Sequence, residues 1–360
     1  MIRILLIVFF FVSIGVRAQE FKINKLDSLL TMLENHDKVM GSISVFQGDK
    51  NIYQKSTGYA DFDKKIKAGN ATQYRIGSVT KIYTATLAML LIEEGKLSLE
   101  AVLADYLPQL PNASKITIKQ LLQHESGFFD IIKSPDFNDW MTQKRSRNEI
   151  LTRILNNGIV FEPGQKVEYS NTNYILLGFI IEDIEHKNYT QVLNERIISP
   201  LKLSNTSYGE RDDVQNHRAK SYKKSSTWEE IEGIHLSIPG GAGAITSNPA
   251  DMNIFIKALF DGKLVNDNSL AIMQKVDKKY GIGLNPVKLI EGEELIGHTG
   301  GMDGFRSLLV YLPKRNISVS LAVNAIDYSL KDLVMGIFHI LLNKDYNIPD
   351  LESGNPLKDK

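Results

Sequence analysis

The chain has 360 residues, 43% of them hydrophobic and 23% charged, ordinary values for a soluble globular protein able to bury a sizeable core. Lys plus Arg and Asp plus Glu are equal at 42 each, without a long run of either sign, which argues against nucleic acid or an acidic polymer as partner. Cysteine is absent, which excludes disulfides, thiolate metal sites, a cysteine nucleophile and a lipidated cysteine.

In chain order, Met1-Ile2-Arg3 is a positively charged start, Ile4 to Val16 is almost wholly apolar, and Val16-Arg17-Ala18 offers a cut ahead of Gln19. This is the layout of a secretory signal peptide over residues 1–18. The apolar run is shorter than the ~20 residues needed to span a bilayer, so an exported (periplasmic or secreted) protein with no stable membrane span is expected. Ile23, Leu26, Leu29, Leu30 and Leu33 recur at helical spacing. Gly41 to Phe46 and Asn51 to Thr57 then predict two strands joined by a turn containing Gly48. Gly77-Ser78 opens a helical run from Ser78 to Glu94, closed by Gly95.

From Lys96 to Ile234 the pattern is mainly helical, with candidate helices at Ile118 to His124, Glu149 to Asn156, Tyr174 to Glu185 and Thr190 to Ile198. Pro108, Pro111, Pro163 and Pro200 break this stretch up. A further helix is expected at Asn248 to Phe260, with Ser247 or Asn248 as its cap and Pro249 at its first position. Strand patterns return at Gly281 to Leu284, Leu289 to His298, Phe305 to Leu312 and Ile317 to Asn324, and a last helix covers Leu330 to Leu342.

Strands at both chain ends with helices between them predict an α/β (α+β) fold: one antiparallel sheet built from the two ends, flanked by helices, with a mainly helical inserted subdomain. The corresponding division is 19–348 for the domain, with an α/β part of 19–95 plus 245–348 and an insertion of 96–244, followed by a polar tail at 349–360.

Several chemistries lack their residues. No serine sits in a G-x-S-x-G elbow. Position 128 after His124-Glu125 is Phe128, not the second histidine of a zinc-protease helix, and no phosphate-cradling or dinucleotide-binding glycine motif is present. What remains is Ser78-Val79-Thr80-Lys81. At a separation of three on a helix the two side chains share a face. The lysine amine can take the serine proton once burial lowers its pKa, and the helix start supplies a free N–H for an oxyanion. The spacing alone is a weak signal, since Ser199 to Lys202 and Ser221 to Lys224 share it. Tyr169-Ser170-Asn171, between a turn and an apolar helix, adds a phenol able to act as general base and an amide able to orient the lysine. His298-Thr299-Gly300-Gly301 adds a strand edge whose glycines let a substrate approach the backbone.

Together, Ser78-x-x-Lys81, Tyr169-x-Asn171 and His298-Thr299-Gly300 resemble, in order and rough spacing, the penicillin-recognising serine hydrolases, in the branch of class C β-lactamases, D-Ala-D-Ala carboxypeptidases and related esterases. The resemblance implies a β-lactamase/transpeptidase-like fold and an acyl-enzyme at Ser78, with Lys81 and Tyr169 sharing the proton work. It places the Ser78 and Gly301 N–H groups in the oxyanion hole and makes Asn171, His298, Thr299, Gly300 and Gly301 substrate-binding. It implies no metal or organic cofactor, and as partner a small molecule or cell-wall peptide. His-Thr-Gly in place of Lys-Thr-Gly is similar to the carboxypeptidases, so a peptidase, amidase or esterase of that kind is expected. A class C-like β-lactamase and a non-catalytic penicillin-binding sensor are the alternatives. The arginine that such carboxypeptidases carry on the strand before His-Thr-Gly is missing; the cations at hand are Lys288 and Arg306.

Overall fold

The computed structural model describes residues 22–209 and 217–351, so the signal-peptide expectation for residues 1–18 and most of the polar tail lie outside the described residues. The principal elements are α1 (Ile23–Asn35), β1 (Val39–Gln47), β2 (Lys50–Thr57), α2 (Thr80–Glu93), α3 (Ile118–Leu122), α4 (Arg147–Asn157), α5 (Asn171–Glu185), α6 (Pro249–Phe260) and α7 (Asp267–Gln274). They are followed by β3 (Asn285–Pro286), β4 (Ile296–Met302), β5 (Phe305–Leu312), β6 (Ile317–Ile326) and α8 (Leu330–Leu341). Six strands form one antiparallel sheet in the order β3-β4-β5-β6-β1-β2, so both chain ends meet at the β6–β1 seam, where Val45 pairs with Val319.

The alternation in β6 explains how the sheet is covered. Ile317, Val319, Leu321 and Val323 pack with α1 and α8 in an outer apolar cluster. The intervening Ser318, Ser320, Ala322 and Asn324 are small or polar and equally buried, on the opposite face. There α6 sits close enough for Asn253 Nδ2 to donate to Ser44 O (2.9 Å) and Ser320 Oγ to Pro249 O (2.5 Å). Helix α2 is buried almost all round, including Ile82, Leu87, Met89 and Leu91, and anchors the larger cluster; a fully buried leucine is worth about 1.5–3 kcal/mol.

The segment 96–244 contributes α3 to α5, but also short strands at Ser207–Tyr208, Tyr222–Lys224 and Trp228–Glu230. The first of these joins Tyr74–Arg75 and Ile245–Ser247 in a three-stranded ribbon that ties the approach to Ser78 to both other parts of the chain.

Four local expectations are corrected. Helix α2 begins at Thr80, after a single 3-10 turn at Gly77–Val79. The strand expected at Gly281 to Leu284 does not form: Gly283 has φ +71° and a Cβ there would lie 2.5 Å from Ala85 Cβ, so this stretch packs on α2. Only Asn285–Pro286 pairs at the sheet edge, Pro286 having no N–H to continue a ladder, and β4 starts at Ile296 rather than Leu289. Pro200 does not end the helix begun at Tyr189; a π-helical stretch at Asn194–Ile198 carries the chain into one more turn, Ser199–Leu201. Helix α7 was not expected from the pattern, although Asn266 caps it by accepting from Ser269 N (3.0 Å).

Candidate active site

Ser78 stands where the turn before α2 lies against β4. Gly77 has φ +50°, and a Cβ on it would come within 3.0 Å of both the N and O of Gly301. A Cβ on Gly300 would lie 2.1 Å from Ile76 O, the same carbonyl that accepts from Ser307 Oγ at 2.7 Å. These glycines let two backbones touch, which puts Ser78 beside the edge residues Thr299 and Gly301. Lys81, one turn along, points into the protein and is fully buried.

Its ammonium nitrogen has three polar neighbours: Ser78 Oγ at 3.0 Å, Asn171 Oδ1 at 2.8 Å and Ala242 O at 2.9 Å. None is a carboxylate. Burial therefore pushes the Lys81 amine down to about 7, against a smaller opposing pull from Asp130. A neutral amine has two N–H donors and one lone pair, which matches two carbonyl oxygens and one hydroxyl. Ser78 can then give its proton to Lys81 while its oxygen accepts from Tyr169 OH at 2.9 Å. Burial also holds the Tyr169 phenol above the usual tyrosine range, so Tyr169 is a donor here rather than the phenolate base expected from its residue type.

Asn171 opens α5 and is oriented from behind, its Nδ2 donating to both oxygens of Asp130 (3.0 and 3.3 Å). Burial raises the Asp130 carboxyl, with the Lys81 charge working in the opposite direction. Thr172 fastens the same loop, accepting from Ile131 N (3.2 Å) and donating to Phe129 O (2.7 Å). His124, at φ +61°, stacks on Tyr169 with ring centroids 4.3 Å apart and accepts from Ser170 N through Nδ1 (3.2 Å). The segment from His124 to Gly127 thus backs the Tyr169–Asn171 stretch. At Gly127 any side chain would meet Phe161 O at 2.0 Å.

His298 is buried on β4, 6.3 Å from the Tyr169 ring by centroids, and its Nδ1 contacts Thr299 O at 2.5 Å. Burial, then the Lys81 charge, pushes its imidazole down to about 4, so at neutral pH it is uncharged and cannot hold a carboxylate as a cation. The structure gathers Ser78, Lys81, Tyr169 and Asn171 into one hydrogen-bonded cluster, with Thr299, Gly300 and Gly301 along its edge and His298 at the back. Arg306, opposite Gly301 on β5, reaches the cleft, and Lys288 borders its far side.

Asp130, the Ala242 carbonyl and Tyr280, whose ring lies 5.8 Å from that of Tyr169, are site members that sequence reasoning missed. Asp130 carried a usable signal: a lone carboxylate inside Phe128-Phe129-Asp130-Ile131-Ile132 needs a buried partner. Cavities of about 420 and 700 Å3 open on either side of Ser78. Among the described residues no group of three or more His, Asp or Glu side chains is arranged to hold a metal ion.

A family model described as Beta-lactamase matches residues 31–332. Protein flp of Staphylococcus aureus (strain MW2) is 28% identical over 299 residues, 79% of this chain and 59% of that protein. The teichoic acid D-alanine hydrolase of Staphylococcus aureus is 29% identical over 230 residues, 62% of this chain and 55% of that protein. The chain therefore spans little more than half the length of these curated relatives. Among solved structures, the D-amino acid amidase of Ochrobactrum anthropi SV3 superposes with a TM-score of 0.76 at 27% identity, over 88% of this chain and 99% of that one.

Proposed function

The chain belongs to the beta-lactamase family and is a serine hydrolase, and from that premise we propose that Ser78 is its nucleophile, Lys81 the base that activates it, and Tyr169 the proton donor to the leaving group. The observation that carries this reading is the environment of Lys81: a buried amine pushed down to about 7, 3.0 Å from Ser78 Oγ and without a carboxylate partner. Near neutrality such an amine can accept the Ser78 proton as Oγ attacks a substrate carbonyl, forming a tetrahedral intermediate. The Ser78 and Gly301 N–H groups would receive the developing oxyanion, each worth a factor of about 10² or more in rate. Collapse expels the leaving group with a proton from Tyr169, and the Lys81 ammonium restores that proton. Water then attacks the acyl-enzyme, with the same two groups managing its proton.

Asn171, held by Asp130 and Lys81, keeps one Nδ2 hydrogen for a substrate carbonyl, and Thr299 to Gly301 would line the substrate from the strand side. The favoured activity is that of a D-Ala-D-Ala-carboxypeptidase-like peptidase, amidase or esterase acting outside the cytoplasm. The relatives named for D-alanine and D-amino acid amide substrates support hydrolysis of an ester or amide. A complete nucleophile–base–acid cluster argues against a non-catalytic binding module.

The test is the intact mass of the protein after brief exposure to benzylpenicillin, together with its hydrolysis of p-nitrophenyl acetate. A covalent adduct or ester turnover that Ser78→Ala reduces by about 10⁴-fold or more is expected. Undiminished turnover in that variant would overturn the assignment. Rapid hydrolysis of the drug without a lasting adduct would make the chain a β-lactamase.

A further inference from the structure

The smaller cavity beside Ser78 owes part of its wall to a stretch without regular structure. Residues 231–235 belong to no helix or strand, yet Ile234 is buried and packs with Phe137 and Ile238. Ile234, Phe137, Met141 and Met302 line this cavity, with Ser78 and Asn171 on its border. Backbone groups that join no ladder must find partners elsewhere, and both of those on Ile234 go to one ion pair. Its N–H donates to Asp303 Oδ1 (3.1 Å). Its carbonyl accepts from Arg75 Nη1 (2.6 Å), which also donates to Asp303 Oδ2 (3.1 Å).

Both members of the pair stand on the rigid frame of the site. Arg75 precedes Ser78 by three residues, and Asp303, at φ +53°, sits in the two-residue turn between Met302 of β4 and Phe305 of β5. The Asp303 side chain is only 6% exposed. A Cβ on Gly233 would lie 2.7 Å from both Arg75 Nη1 and Asp303 Oδ2, so the stretch rests directly on the pair. Ser221 braces the same turn, accepting from Gly304 N through Oγ (2.8 Å) and from Ile231 N through its carbonyl (2.8 Å). One residue beyond Ile234, His235 N donates to Met141 O (2.8 Å), which carries the placement of the stretch on to the next part of the wall. Both Asp303 oxygens are turned to these bonds, so what the pair gives the cavity is shape. We propose that Arg75 and Asp303 are positioning residues that decide which apolar groups of a substrate this cavity accepts, by fixing the backbone of Ile234. The inference rests on the reading of Ser78 as nucleophile.

The test gives the full chain three thioesters: S-methyl thioacetate, its phenylacetyl counterpart, and S-benzyl thioacetate. The second enlarges the acyl group and the third the leaving group. Thiol release is read with a disulfide reagent, with which this cysteine-free chain does not react. Every kcat/KM is normalised to the thioester's own hydroxide hydrolysis. One of the two phenyl-bearing thioesters should outrun S-methyl thioacetate by about tenfold, the scale of one well-seated apolar group. In Arg75→Met and in Asp303→Ala that preference should fall by about threefold or more, a part of the same apolar discrimination. The double variant, which strands no buried charge, should lose about as much as either single one, because the pair acts as a unit. A smaller yield of folded enzyme lowers all three rates alike and leaves the ratio unmoved. Gly233→Ala keeps both charges but pushes the stretch off the pair, so it should give the same loss and carries the test if the other variants do not fold. Hydrolysis that depends on Ser78 but shows no preference for either phenyl group, or a preference that the variants leave unchanged, overturns this inference alone. Failure to hydrolyse any thioester faster than Ser78→Ala overturns the nucleophile assignment and the inference with it.

Discussion

Helix α2 carries a charge of the unfavourable sign at each end, and the two ends treat it differently. The helix macrodipole favours anions in the first turn and cations in the last, yet Lys81 lies in the first turn and Glu94 caps the end. Glu94 is met by Arg196 Nη1 at 2.5 Å and by Lys96 Nζ at 2.8 Å, and both cations also reach Glu185, at 2.8 and 3.1 Å. Those bonds hold the Glu94 carboxyl down at about 2. Lys81 has no carboxylate within hydrogen-bond reach and is fully buried, so its charged form is disfavoured. A misplaced charge that is neutralised becomes part of the scaffold, whereas one left without a counter-ion is ready to exchange a proton near neutral pH.

The largest expected effect comes from removing the uncompensated charge. Lys81→Met keeps the volume of the side chain and deletes the base, and should lower kcat/KM for an activated ester by about 10³-fold, within the range of a lost general base. In the unaltered chain, the protonated lysine cannot accept the Ser78 proton, so kcat/KM should fall as pH drops through about 7 and level off above it. A flat profile between pH 5 and 8, or a Lys81→Met variant of normal rate, would remove the contrast between the two helix ends. The proton work would then pass to Tyr169.

A smaller change should move the same pH limb without abolishing it. Asp130, whose carboxylate accepts from Asn171, is the negative charge that works against the lowering of the Lys81 pKa. In Asp130→Asn the amide oxygen still accepts from Asn171, but the negative charge is gone and the Lys81 amine is freed of its proton at lower pH. Expressed as a fraction of each protein's own high-pH plateau, kcat/KM at pH 6 should therefore be about two- to threefold greater in the variant. An acid limb shifted to higher pH would show that Asp130 acts on Lys81 by some route other than charge.

Parts of the site within one covalent stretch were legible in the sequence; parts assembled across the fold were not. Ser78 and Lys81 sit three apart where a turn opens a long apolar helical run, and Tyr169 and Asn171 lie together at the start of another helix, so spacing and family resemblance both point to them. The Ala242 carbonyl is a backbone atom, which no residue identity marks. The apolar wall of the smaller cavity draws on Ile132, Phe137, Met141, Ile234 and Met302, which come from three separate stretches of the chain, and nothing local joins those stretches. The fold shows the same division. The strict alternation of Ile317 to Asn324 specified β6, whereas Leu289 to Leu295 is interrupted by Glu291-Gly292-Glu293-Glu294, with Gly292 at φ +80°, and turns the chain back instead of extending β4. His298 was the residue most open to misreading, because its charge state depends on a burial that no motif displays.

The compensated end of α2 should give the smallest effect, and on stability rather than rate. Glu94→Gln removes one carboxylate from a cluster whose other members remain paired, and Glu94 is 37% exposed, so solvent screens much of the interaction. The loss at pH 7 should be about 0.5–1 kcal/mol. Because the folded-state pKa of Glu94 is depressed, its contribution is complete above the ordinary glutamate range and lost as pH falls through about 2. Thermal unfolding of the two proteins should therefore differ at pH 7 and converge in strong acid, while kcat/KM stays at the wild-type value. A rate that fell with Glu94 would mean that the two ends of the helix are coupled, and that Lys81 depends on the cluster at the far end for its position.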